Sequence, residues 1–370
     1  MPRVMRRLRR DGDDRGAVAV IVTILIGAVL LGMGALVVDV GQIYAERAQL
    51  QNGADAGALA VAQGCARSAS NCVTSTAGSY ADENSNDGKS SVDLVCGRDP
   101  YGKLASCPAV TSGALSCPTT PAYGTNYAEV HTSTLTSGGS TLLPPVFGRA
   151  LLGSSYDGKT VHSCAQATWG APAAARGLAM TISWCEWNSY TSGGTNYVAP
   201  PPYVPPAGAD QVIYFHDTDP NPTHCTAGPS GYDVPGDFGA TNSDGNCQTL
   251  FNFDASSGST SYTTDPGSSL PADCETALQT AQQNHTAVFI PVYDRLVGTG
   301  SNGTYTLWTM AAFVVTGYFW PDWKAKSWLT NKFPCGGNQR CVSGYFSTGV
   351  TTGSLGSGSG AGVTVVQLTG

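Results

Sequence analysis

Residues Ala17 to Val38 read AVAVIVTILIGAVLLGMGALVV, and Asp39 to Ala62 continue DVGQIYAERAQLQNGADAGALAVA. The first stretch carries no charge and one hydroxyl, Thr23; its 22 residues, at ~1.5 Å each, make a helix of ~33 Å, about the hydrocarbon thickness of a bilayer. A secretory signal has a shorter apolar core and a small-x-small cleavage site, whereas this run is unbroken up to Asp39. Six Arg precede it and Asp39 and Glu46 follow it. By the positive-inside rule this places the N-terminus in the cytoplasm and everything after Val38 outside. Within the span, Ala28 and Gly32 form a small-xxx-small pair, with Gly27 and Gly34 nearby, a pattern that lets membrane helices approach closely and oligomerise.

The second stretch has no Pro, so the helix is predicted to run on to about Ala62. Ile43, Leu50, Ala54, Gly57 and Val61 fall on one stripe, while Glu46, Arg47, Gln49, Gln51 and Asp55 cover other sides. The small residues of the stripe suit tight packing against another helix or against the chain's own body. Asp39, at the end of the apolar run, sets topology or pairs with a basic residue of a partner subunit.

Working outward, the composition bounds the rest. Of 19 basic and 26 acidic residues, six Arg and three Asp precede Ala17, leaving 13 basic against 23 acidic. Such a body lacks the basic stripe that nucleic acid requires. The 46 Gly, the 22 Pro and a charged fraction of 12% favour a loop-rich, β-structured exterior over a helical enzyme. All twelve cysteines, Cys65 to Cys341, follow the apolar run. An even number on one side of a membrane span predicts disulfides, and the absence of paired C-x-x-C clusters argues against zinc. Short separation pairs Cys65 with Cys72 and Cys335 with Cys341; the other eight stay open.

The fold class read from this pattern is α+β: a long transmembrane and juxtamembrane helix, then a β-rich, disulfide-stapled extracytoplasmic domain. Its divisions are a basic tail (1–16), the span (17–38), a helical stalk (39–65), a loop-rich segment (66–170) and a β-rich domain (171–370). Predicted strands are Gly177–Trp187, Val212–Phe215, Ala287–Tyr293, Leu307–Tyr318 and Val363–Leu368, the third and fourth forming a long-looped hairpin. Thr141–Leu152, broken by Pro144-Pro145, reads as a short helix packed on the stalk, and Val198–Gly208 as an exposed proline-rich loop.

The residues of the helix resemble the TadG-like Flp pilus-assembly family. They are Arg15-Gly16, the span, Asp39-Val40-Gly41, Tyr44, Arg47, Leu50-Gln51-Asn52, Ala54-Asp55-Ala56 and Ala58-Leu59-Ala60. The resemblance covers about residues 15 to 65. It implies a protein of the bacterial cytoplasmic (inner) membrane, with its body outside, working with other Tad/Flp pilus-assembly proteins, and it implies no enzyme. Asp39, Gly41, Tyr44, Leu50, Gln51, Asn52, Ala54, Asp55 and Ala58 are its motif and partner-contact residues. Pilin-type relatives carry Glu five residues after a cleavable Gly; counting from Gly16 that position is Ile21, so a permanently anchored chain is expected.

Few residues point to chemistry. Asp254-Ala255-Ser256 opens like a metal-dependent adhesion motif, but Gly258 replaces its second Ser. His216, Asp217, Asp219, His224 and Cys225 cluster among prolines, as a turn does. No G-x-S-x-G elbow occurs, so no catalytic residue, metal or cofactor is assigned. Trp320 and Trp323, in the densest aromatic run, are either core or a glycan-contacting patch. The expected function is a non-enzymatic component of a Tad/Flp pilus assembly or secretion apparatus. The alternatives are an anchored hydrolase and a glycan-binding adhesin.

Overall fold

A computed structural model describes residues 15–369 except 109–116, 120, 122–124, 150–152, 154, 216–223, 226–228, 230, 232–233, 236–237, 257, 264–269, 299–302 and 357–359. Helix α1, Arg15–Arg67, is continuous over 53 residues, or ~80 Å. Among the described residues its apolar half is almost bare: its most apolar 18-residue window is 0% buried, with a mean hydropathy of 2.7. From Leu50 onward the same helix is core. Leu50, Ala54, Ala58, Val61, Ala62 and Cys65 are each at most 2% exposed.

What they bury against is a five-stranded sheet ordered Ser91–Arg98, Asn126–Ser133, His162–Gly170, Val363–Leu368, Gly349–Thr351. Ala54, Ala58, Val61 and Cys65 pack with Ala128, Val130, Ala165, Ala167 and Trp169 in one apolar cluster. The stripe therefore meets the chain's own body. The segment 66–170, expected to be loop-rich, also supplies three of these strands, paired antiparallel through registers such as Cys96↔Glu129 and Val130↔Ala165. These strands meet α1 largely through the small residues Ala128, Val130, Ala165 and Ala167, so few large apolar side chains mark them in the sequence. Val363–Leu368, from the far end of the chain, pairs with His162–Gly170 and completes the sheet across the boundary expected at residue 170.

The second half builds a larger sheet around the hairpin Ala287–Val297/Thr304–Phe319, in register from Ala287↔Val314 to Val297↔Thr304. Cys341–Ser347 and Gln211–Tyr214 extend it on one side, Met180–Ser183 and Phe238–Ala240 on the other. A three-stranded sheet of Gln248–Asn252, Pro172–Leu178 and Gly353–Leu355 lies beside it. The expected strand Gly177–Trp187 is not one element. A strand ends at Leu178, another runs Met180–Ser183, and a helix covers Trp184–Thr191. The break is capped: the Ser183 hydroxyl accepts from the Cys185 amide, starting the helix where alternation alone read a strand. The proline-rich loop is exposed, with Tyr203 and Val204 at 52% and 63%.

Six disulfides use all twelve cysteines: Cys65–Cys72, Cys96–Cys107, Cys117–Cys164, Cys185–Cys225, Cys247–Cys274 and Cys335–Cys341. The two short pairings read from spacing are among them.

Candidate functional site: the faces of the long helix

The motif residues of α1 divide by what they touch. Gln51 holds the sheet: its side-chain N–H donates to the Cys164 carbonyl at 3.1 Å and to Asp55 at 2.8 Å, and its carbonyl accepts from the Ser163 hydroxyl. The Leu50 carbonyl accepts from the buried Thr132 hydroxyl at 2.9 Å. Ala54 and Ala58 are 0% exposed. Gly53 and Gly57, each just before one of these alanines, serve a second neighbour, helix α2 (Thr76–Glu83). A Cβ on Gly53 would stand 3.2 Å from the Ala81 backbone, and one on Gly57 3.3 Å from the Ala77 methyl. Small residues on both helices thus allow backbone contact.

Asp39 also finds its partner within the chain. Its carboxylate accepts from the amides of Val146 at 2.8 Å and Phe147 at 3.0 Å. Gly148 has no room for a side chain, since a Cβ there would lie 3.0 Å from the same carboxylate. The stretch read as a short helix on the stalk does meet α1 here; Gly148 and Arg149 are helical, and 150–152 lie outside the described residues. Phe147 lines an apolar notch of about 600 Å³ with Ala28, Leu31, Gly32, Ala35 and Val38. The Ala28/Gly32 pair therefore lies beneath this loop.

Among the described residues the opposite side of α1 is bare, apart from Leu30 and Gly34 at the edge of the notch. At 100° per residue, Gly41 stands about 200° from Asp39. Gly27, Gly34, Gly41 and Ala48 repeat every seventh residue along it. A Cβ on Gly27, Gly34 or Gly41 would meet nothing within 4 Å. Between them stand Leu30, Val37 and Tyr44, at 64%, 67% and 69% exposure, and Asn52 continues the face. Gly41, Tyr44 and Asn52 thus have no structural task that the described part of this chain explains. A seven-residue repeat of small residues is the spacing at which two helices supercoil closely.

The other expectations settle differently. Trp320 is not a surface patch: it is 3% exposed, packs near Phe238 and stacks on Trp323 at 4.4 Å, because the strand preceding it runs through the core. The aromatic surface lies elsewhere. A cavity of about 600 Å³ is lined by Arg67, Tyr203, Phe289 and a stacked His285–Trp328 pair. Asp254 sits in an exposed turn, its carboxyl held below the usual range mainly by the Ser256 amide. His216, Asp217 and Asp219 lie outside the described residues, and Cys225 is bonded to Cys185.

Sequence reasoning missed a polar knot under the sheet. Glu129, 6% exposed, binds His131 at 2.7 Å and accepts from Gln166 at 3.0 Å. Cys117 with Glu129 and His131, and Cys96 with Cys107 and Glu129, bring metal-capable atoms within 4.8 Å of one another. The sulfurs in both groups are already tied in disulfides and are not thiolates. The only signal for this knot was Glu129 and His131 two apart, on one face of a strand.

Neither the curated proteins nor the solved structures contain a match to this chain. Residues 16–64, all within α1, match the Tad family model, described as "Putative Flp pilus-assembly TadE/G-like", so the long helix is similar to the module of that family.

Proposed function

We propose that this protein is a non-enzymatic component of a Tad/Flp-type pilus assembly or secretion apparatus, anchored in the bacterial cytoplasmic membrane by one helix. The tail 1–16 is cytoplasmic, 17–38 spans, 39–65 is the stalk, and 66–170 with 171–370 form the extracytoplasmic body. The observation that carries the reading is the split of the matched module. Leu50, Gln51, Ala54 and Ala58 bind the body and Asp55 accepts from Gln51 within the helix, whereas Gly41, Tyr44 and Asn52 face outward on a bare heptad stripe. The uncovered apolar half supports the anchor, and six disulfides support an oxidising compartment for the body. The outward stripe is the contact for a membrane helix of another pilus-assembly protein or of a second copy.

Gene deletion followed by imaging of surface pili tests the role, with complementation by Gly41→Leu and Tyr44→Ala. Lost piliation on deletion, not restored by either variant despite normal protein levels, is the expected result. Normal piliation and adherence after deletion would sink the reading.

One observation favours a second reading, glycan binding. The cavity at Arg67 and the His285–Trp328 stack combines a cation with aromatic faces, and among the described residues no carboxylate lines it. Loss of binding to a glycan array on changing Trp328 to Ala would support it; no binding by the wild-type protein would remove it.

A further inference from the structure

Beyond the single span, we infer that the loop around Val146 and Phe147 is a second membrane-contacting element, inserted from the outer side beside the helix and covering lipid acyl chains. The inference rests on the proposed anchor. Its first support is level. Asp39 ends the uncharged run, and its carboxylate holds the Val146 and Phe147 amides at 2.8 and 3.0 Å, so the loop tip is fixed where the helix leaves the hydrocarbon.

Direction is the second. Cα–Cβ bonds tilt toward a helix's N-terminus, so Asp39 reaches back over the turn below it. Phe147 accordingly shares its notch with Val38, Ala35 and Leu31, on the apolar side of Asp39. The third is composition. Leu142, Val146 and Phe147 are 37%, 56% and 45% exposed, an apolar tip with no protein over it among the described residues. Arg149, two residues on, bonds to Asp157 at 2.9 Å with both side chains open to solvent, at the level where lipid headgroups lie.

These features commit the occupant to lipid. The notch is continuous with the helix surface that the bilayer already covers, and its lining is almost wholly hydrocarbon. Leu30 and Gly34 also line it, so the notch reaches round the helix to the edge of the Gly41 stripe. The loop and the span together make two contacts with the leaflet, which fixes the tilt of the rigid helix and body above it.

The test uses the full chain in vesicles of phosphatidylcholine brominated along its acyl chains, with no other protein present. Phe147→Trp and, separately, Leu31→Trp report depth by fluorescence quenching; the seven native Trp lie in the body, and the wild-type protein sets the baseline. The expected result is a blue-shifted Trp at 147, quenched at least half as strongly as Trp at 31. Quenching at 31 with none at 147 overturns the inserted loop and leaves the anchor standing. Quenching at neither position overturns both.

Discussion

Phe147 donates its backbone N–H to the Asp39 carboxylate at 3.0 Å, joining positions 108 residues apart at the end of the apolar helix. With Val146 making the same bond, one carboxylate fixes the tip of a loop whose base is held by the Leu143–Lys159 β-bridge. Asp39→Ala should free this loop, at a cost of about 1–3 kcal/mol for hydrogen bonds to a charged acceptor, toward the low end for a half-exposed site. Asp39→Asn, which keeps one acceptor oxygen, should cost less. Hydrogen exchange at the Val146 and Phe147 amides reads both. Unchanged protection in the alanine variant would show that the bonds do not hold the loop.

Gly64 and Gly41 should respond oppositely to alanine. A Cβ at Gly64 would stand 2.3 Å from the Asn71 carbonyl oxygen, so Gly64→Ala forces the turn at the Cys65–Cys72 disulfide to shift and should destabilise by about 1–3 kcal/mol. At Gly41 there is open space, so Gly41→Ala should leave Tm unchanged or raise it, by up to ~1 kcal/mol of helix propensity. Thermal unfolding of the purified protein decides.

Gln51→Ala removes the clamp on Ser163 and Cys164. The expected loss is about 1–3 kcal/mol, since partly buried partners are left unpaired. Asn52→Ala, one residue on and exposed, should change stability by less than ~0.5 kcal/mol. Denaturant midpoints compare the two; equal losses would contradict the division of the motif into inward and outward residues.

The disulfides should contribute unequally. Chain-entropy reasoning gives about 2 kcal/mol for the seven-residue separation of Cys65–Cys72 and about 4 kcal/mol for the 47-residue separation of Cys117–Cys164. Double Cys→Ser variants compared by urea unfolding should rank in that order. Peptide mapping without reduction should find all six pairs and no free thiol.

Glu46, on the stalk, has its carboxyl pushed above the usual range, chiefly by burial, with a smaller push from Asp87 and an opposing hydrogen bond from Thr134. The folded state therefore holds its proton to higher pH than the unfolded chain does. Stability falls as pH rises from the unfolded value through the raised folded one. Glu46→Gln should accordingly raise Tm at neutral pH and lose that advantage in acid, where both states are protonated. A Tm difference that does not narrow with acidification would overturn this.

The sequence by itself determined what depends on local chemistry. An uncharged run of bilayer length, a helix unbroken by Pro, the module spacing and the two shortest disulfides are all properties of residues near one another along the chain. The hairpin from Ala287 was legible for the same reason, its strands adjoining in sequence. Only the tertiary structure decided which side of α1 is spent on the body and which is left open. That depends on a sheet whose fourth strand, Val363–Leu368, arrives almost two hundred residues after the third. It also decided that Asp39 holds a loop and that Trp320 is core. A carboxylate or an indole is compatible with either role, and the choice rests on long-range partners, Phe147 and Phe238, that no local pattern encodes.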